Sequence, residues 1–211
     1  MKKLVSGIFF ALLVLIFATS FGLAFIHISD FPFIADIDNL DIPGRSGLSR
    51  EEILLNYNAA IDFLSPFHTE SFTLPTLAYS EVSVRHFDDV KDIFTALYIM
   101  GLVSAVLLAI LIAKRVVTKE LLRVSGIVTP IFPILIGAGI AIDFDWTFIV
   151  FHALLFEDNT WTFYPATDAI ITILPAEFFM HCGIVIAAFW VFAALIQLYI
   201  GYFYKPKKLF S

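Results

Sequence analysis

Four long stretches of the chain are apolar at nearly every position, and the polar residues collect between them. Residues 4–26 carry no charge and follow Lys2 and Lys3; as a helix with a 1.5 Å rise they reach roughly 34 Å, enough to cross the hydrocarbon of a bilayer. Residues 93–113, 124–142 and 184–204 form three further runs near the length a span requires. The pattern predicts a mainly α integral membrane protein with four transmembrane helices. The first run also has the position of a secretory signal, but it is long for a signal core and "ATSFGLA" only loosely resembles a cleavage site, so it is read as a lasting anchor. The third run holds Gly126, Pro130, Pro133, Gly137 and Gly139. A kinked or partly unwound helix is expected there, its freed backbone groups satisfied by neighbouring helices.

Two polar segments separate these runs, residues 27–92 and 143–180. In the first, Ser49 followed by Glu52 is a capping-box signal, and Ile53, Leu54, Tyr57, Ala60, Ile61 and Leu64 then recur at helical spacing. An amphipathic helix is predicted, with Glu51, Glu52, Asn56, Asn58 and Asp62 mostly off its apolar stripe and Ser65–Pro66 as its stop. The stripe can rest in a lipid leaflet or cover other protein. Tyr79, Val82 and Val84 suggest short extended segments before the second span. His27 and His68 are expected in loops. In the second segment "WTFIVFHALLF" has 11 apolar-rich residues, about 16 Å as helix. That is too short to span and fits an interfacial piece, with Trp146, Trp161, Phe163 and Tyr164 suited to a membrane–water boundary.

Composition sharpens this picture. Of 211 residues 60% are hydrophobic and the mean hydropathy is +0.90, far from an ordinary soluble domain. Lys2, Lys3, Lys114, Arg115, Lys119, Arg123, Lys205, Lys207 and Lys208 all fall at the same ends of the four spans, which places both termini in the cytoplasm. Residues 27–92 hold 12 acidic and 4 basic residues, and 143–180 hold 6 acidic and no basic ones. The expected plan is one membrane domain: span 4–26, extracytoplasmic loop 27–92, span 93–113, cytoplasmic loop 114–123, span 124–142, extracytoplasmic interfacial segment 143–180, span 184–204 and cytoplasmic tail 205–211. No basic patch suits nucleic acid. With Cys182 as the single cysteine, an internal disulfide and a CxxC metal site are excluded.

Candidate chemistry lies in the two polar segments. His86 stands at the mouth of the second span; if helix has begun there, Asp89 at i+3 can orient its imidazole and can also pair with Arg85 at i+4. The same spacing also suits a helix start at which Asp88, Asp89 and Asp92 complement the dipole beside a solvated His86. His152 lies at the centre of the 11-residue apolar piece. An imidazole with an ordinary pKa near ~6.5 exchanges a proton at neutral pH. The adjacent His181 and Cys182 suggest a Cys/His nucleophile only weakly, because neighbouring residues on a helix do not face each other.

These segments also carry a resemblance. "LPTLAYSEVSVRHFDDVKDIF" and "FHALLFEDNTWTFYPATDAIITILPAEFFMHC" resemble a family of four-helix bacterial membrane proteins that includes the lipoprotein intramolecular transacylase of low-GC Gram-positive bacteria. The match rests on His86, Phe87, Asp89, Val90, Lys91 and Phe94, on Phe151, His152, Phe156 and Trp161, and on Asp168, Ile171, Leu174, Pro175, Glu177 and Phe179. With the amphipathic helix and the span order it covers most of the chain. The resemblance implies a cell-membrane acyltransferase with its active site at the extracytoplasmic surface and diacylglyceryl-modified lipoproteins as substrate. The reaction would move the sn-2 acyl chain of the modified N-terminal cysteine to that cysteine's own α-amino group.

His86 and His152 are then the implied catalytic pair. Arg85, Asp89, Asn159, Trp161 and Glu177 are supporting or substrate-orienting candidates. Amine and ester belong to one molecule held by the membrane, so acid/base catalysis suffices and no cofactor or metal is expected. Two alternatives use the same residues: a metal-dependent membrane hydrolase with His86, His152 and carboxylates as ligands, and a non-enzymatic binding or immunity protein whose outward loops meet a partner.

Overall fold

The computed structural model describes residues 2–156 and 159–203. Glu157 and Asp158, Tyr204 at the end of the fourth apolar run, and the tail 205–211 with its three lysines lie outside the described residues. The elements are α1 Lys2–Ser29, α2 Phe33–Asn39, α3 Ile42–Ser46, α4 Arg50–Phe63, α5 Glu81–Ala113, α6 Lys119–Val128, α7 Ile131–Ile142, α8 Phe144–Leu155, a 3₁₀ turn Ala169–Thr172 and α9 Ala176–Tyr202. Among the described residues there is no strand. Four helical segments, Lys2–Ser29, Glu81–Ala113, Lys119–Ile142 and Ala176–Tyr202, are long and apolar enough to cross a membrane.

Two compact units divide the contacts. The first comprises residues up to Gly22, Ile99–Gly139 and residues from Val185 on; the second comprises Leu23–Tyr98 and Ile140–Ile184.

In the first unit, small residues let helices approach closely. A Cβ at Gly7 would collide with Val124 of α6, one at Gly101 of α5 would collide with Ser20, and one at Gly22 would sit 3.1 Å from the Phe189 ring of α9. The helix α1 thus touches all three partners, and its Phe10, Ala11, Leu13 and Ala18 are buried. The outward positions of the partners, among them Leu102, Ile110, Ile134 and Phe192, are exposed leucines, isoleucines and phenylalanines, as expected where lipid replaces water. Polar side chains bond across the interfaces: Trp190 Nε1 donates to Thr19 Oγ1 at 2.9 Å, and Gln197 Nε2 donates to Thr129 Oγ1 at 3.2 Å. The third span is broken as its prolines require, into α6 and α7 at Thr129–Pro130. Thr129 bonds back to the Ser125 carbonyl through both its N–H and its hydroxyl, so little backbone is left unsatisfied.

The second unit has a core like that of a water-soluble domain. Phe33, Ile37, Ile42, Ile53, Tyr57, Phe72, Ile170 and Ile173 are all buried within it. Phe33 stacks on Tyr57 at 3.6 Å between centroids, with Phe178 set edge-on to both. The amphipathic helix α4 starts at Ser49, whose hydroxyl accepts from Glu52 N at 3.2 Å. Its stripe covers protein: Ile53, Tyr57, Ala60 and Phe63 are buried in this core. Asn56, expected off the stripe, is fully buried. Burial is tolerated because its amide is saturated: Nδ2 donates to the Glu52 carbonyl and Thr76 Oγ1, and Oδ1 accepts from the N–H groups of Thr76 and Leu77. The Glu52 carboxylate accepts from Thr76 Oγ1 at 2.9 Å, so residues 76–77 are pinned to α4 without a sheet.

Two local expectations are corrected. Val82 and Val84 are helical, because α5 starts at Glu81, twelve residues before the apolar run. Ser80 makes that early start possible: its hydroxyl accepts from Val82 N at 3.2 Å, and its carbonyl accepts from Ser83 Oγ at 2.9 Å, a cap that outweighs the modest β preference of valine. His27 is not in a loop but in the last turn of α1, where Nδ1 lies 2.9 Å from the Tyr98 hydroxyl. His68 is in a loop, edge-on to Phe63, and its carbonyl accepts from Lys91 Nζ at 2.7 Å.

Candidate active site

The second unit brings His86 and His152 together. His86 rides in the second turn of α5 and His152 near the end of α8, and their ring centroids are 6.3 Å apart with planes 29° from parallel. The helix α8 forms because Asp143 caps it, its carboxylate accepting from Trp146 N at 2.9 Å. No α8 residue is fully buried, and Trp146, Ile149, Phe151 and Leu154 turn apolar surface outward. An 11-residue apolar piece has therefore become an apolar-faced helix that holds its histidine on the inner side.

Aromatic rings surround the pair. Phe156 lies 4.6 Å from His86 and 5.7 Å from His152, Phe163 meets His86 edge-on at 5.3 Å, and Trp161 lies 5.0 Å from His152. Phe148, one turn before His152, packs against it at 4.1 Å. Apolar walls of this kind exclude water and lower the local dielectric, which strengthens any charge-developing step within them.

The tautomer of His152 follows from its partner. Nδ1 is 2.8 Å from the Phe148 carbonyl oxygen, which can only accept. Nδ1 therefore carries the hydrogen, and in the neutral ring Nε2 holds the lone pair. Burial lowers the His152 pKa from its ordinary value, against an opposing contribution from the same Phe148 bond. The lowered pKa favours the neutral ring, the form in which Nε2 can accept a proton.

The other candidates fall in different places. Trp161 touches His152. Arg85 and Asp89 lie on the exposed side of α5, and Asn159 is exposed with its carbonyl accepting from Thr162 N at 3.1 Å. Glu177 is drawn to Arg45, 3.3 Å from Nη1, rather than to either site histidine. His181 is turned to Asp36: Nδ1 is 2.8 and 2.9 Å from the two carboxylate oxygens, and Asp36 is 2% exposed. The neighbouring Cys182 packs against the core. The His181–Asp36 pair carried no signal in the sequence, because its members are 145 residues apart. Phe163, whose sequence signal is only that of a boundary aromatic, lines the site. Among the described residues no group of three His, Cys, Asp or Glu side chains could hold a metal ion.

Four apolar segments long enough to cross a membrane, together with paired imidazoles in an aromatic enclosure, define an integral membrane protein with a histidine-pair candidate site. The comparisons with known proteins narrow this class. The profile of the family described as lipoprotein intramolecular transacylase Lit matches residues 6–179, and the chain belongs to that family. A solved structure of the membrane integral lipoprotein intramolecular transacylase Lit from Bacillus cereus, determined in meso, is 30% identical, with 93% of this chain and 92% of that one covered and a TM-score of 0.84. Two structures of variants of that protein, with one histidine replaced by arginine or by alanine, are each 28% identical with TM-scores of 0.74; they cover 95% of this chain and 90% and 92% of theirs. A search of curated proteins returned no match. The family name marks the protein as a transacylase, hence an acyltransferase acting on lipoproteins.

Proposed function

We propose that the protein moves the sn-2 acyl chain of a diacylglyceryl-cysteine lipoprotein to the α-amino group of the same cysteine, with His152 as base and His86 as acid. The imidazole pair at 6.3 Å carries this reading, because two groups that each reach about 3 Å can serve one reacting centre between them.

At neutral pH most of an α-amine with a pKa near ~7.7–8.0 is protonated and cannot attack an ester. His152 Nε2 accepts that proton. The freed nitrogen attacks the sn-2 ester carbonyl, a carbon–nitrogen bond forms, and a tetrahedral oxyanion develops. Collapse breaks the carbon–oxygen bond, and His86 delivers a proton to the departing glycerol oxygen. The adduct nitrogen gives up its second proton to solvent, and the proton held by His152 returns through solvent to recharge His86, so one proton is released overall and no water is consumed. Because amine and ester share one substrate, orientation supplies effective molarities on the order of 10⁵ M or more, and no covalent enzyme intermediate is required. The acidic segments 27–92 and 143–180 and the exposed aromatics of α8 support a site at the outer membrane boundary, where the lipoprotein headgroup lies.

The test is fragmentation mass spectrometry of lipopeptides from a host that makes only the diacylglyceryl form, with and without this chain. The expected result is an acyl chain relocated to nitrogen at unchanged total mass, with activity that survives chelator. Both acyl chains remaining on glycerol would defeat the reading, and loss of activity with chelator would favour the metal-dependent alternative.

A further inference from the structure

The two histidines come from helices that share no backbone, so something must hold them in register. The ring of Phe156 touches both imidazoles, and the segment 159–168 places Trp161 on His152 and Phe163 on His86 and ends at Asp168. Asp168 is 3% exposed. Its Oδ1 accepts from Ser80 N at 3.0 Å and from Ser80 Oγ at 2.6 Å, and its Oδ2 accepts from Thr167 Oγ1 at 2.6 Å. Ala169 N donates to the Ala78 carbonyl at 3.0 Å beside this clamp. Ser80 is the residue that caps α5, and His86 follows six positions later on the same helix. A buried carboxylate thus grips the start of the helix carrying His86, and the chain leading to it lines both rings.

We propose that Asp168 is a positioning residue of the transacylation site, fixing His86 against His152 by clamping the aromatic segment 159–168 to the start of α5. This rests on the functional reading above and adds a residue to it. The clamp works as a carboxylate: burial opposes ionisation, but the hydrogen bonds from Ser80, Thr167 and Ser83 outweigh it and hold the acid below the ordinary range. The helix dipole of α5 adds to this, since Asp168 sits at its positive end.

The experiment compares D168A, D168N, H86A and the double variant D168A/H86A by steady-state turnover of a diacylglyceryl lipopeptide, with ¹⁵N spectra of the imidazoles. D168A should lower kcat about 10- to 100-fold with KM within about threefold, the scale of loss from a displacement near 1 Å. D168N retains an oxygen for the Ser80 donors and should recover to within about fivefold of the parent. In the H86A background D168A should add less than about a twofold loss, because groups that act as one unit are non-additive. The imidazole signals of His86 and His152 should shift in D168A. If D168A does not fold, S80A and T167V, which remove donors and keep the carboxylate, should show the same kcat-selective loss.

Unchanged kcat per folded molecule would overturn the proposal, as would a full independent loss in the double variant. If the parent protein moves no acyl chain, the functional reading falls by itself. The spectra still decide the clamp in that case, with unmoved His86 and His152 signals counting against it.

Discussion

The two units solve the same packing problem with opposite means. In the unit built from the spans, glycines meet side chains of adjacent helices, polar contacts are few, and most surface is apolar and outward. In the unit that carries the histidines, large aromatics interlock, and buried polar groups such as Asn56 and Asp168 have their hydrogen bonds made. The reason is the solvent. Lipid is as apolar as leucine, so helices in it gain by close approach and little by burying side chains, whereas a core of the water-soluble kind gains by hiding rings and must satisfy the amides it hides. The histidine pair belongs with the second regime, where rigid loops present polar groups in fixed directions.

That contrast can be broken at several points. The largest effect should come from the site: H86A or H152A lowers acyl transfer about 10²- to 10⁴-fold, measured per folded molecule, with a thermal midpoint close to the parent. A midpoint collapse would mean that the histidines are structural. Next comes pH. Since burial lowers the His152 pKa below 6.5, the ring stays neutral above that value, and turnover should fall about tenfold per pH unit only once pH drops below the folded pKa. Stability has the same sign: a depressed imidazole contributes fully above ~6.5 and loses that contribution as pH falls through the folded value. H152Q should flatten that part of the unfolding profile.

Asn56→Ala removes the acceptor of the Thr76 and Leu77 N–H groups, strands the buried one of Leu77, and should cost about 2–4 kcal/mol in equilibrium unfolding followed by aromatic fluorescence. In the span unit, G7L drives a side chain into Val124, and overpacking should cost about 1–3 kcal/mol. A smaller cost for N56A than for G7L would reverse the comparison of the two regimes. The smallest effect should be T19V, which removes the acceptor of Trp190 Nε1; hydrogen bonds between spans average about 0.6 kcal/mol, so a loss well above 1 kcal/mol would show that the span unit depends on polar contacts after all.

Much of the fold was legible because its signals are local. Apolar run length marked the four spans, prolines 130 and 133 marked the break between α6 and α7, and Ser49 marked the start of α4. The errors share a cause. Val82, Val84 and His27 were assigned from their own preferences or from the edge of an apolar run, while capping by Ser80 and the contact of His27 with Tyr98 extend the helices past those edges. Asn56 was sorted as polar and therefore outward, because nothing nearby in the chain announces that Thr76 and Leu77 will meet its amide.

The sequence by itself determined a membrane protein of four spans, an amphipathic helix, a short apolar piece with a histidine at its centre, and motifs that name its family. Tertiary structure alone decided that this histidine lies 6.3 Å from one 66 positions earlier, that the Phe148 carbonyl sets its tautomer, and that Asp168 reaches back 88 positions to Ser80. Periodicity and capping act over a few residues and can be read along the chain. Distance between remote side chains depends on how whole helices pack, and no local pattern encodes it.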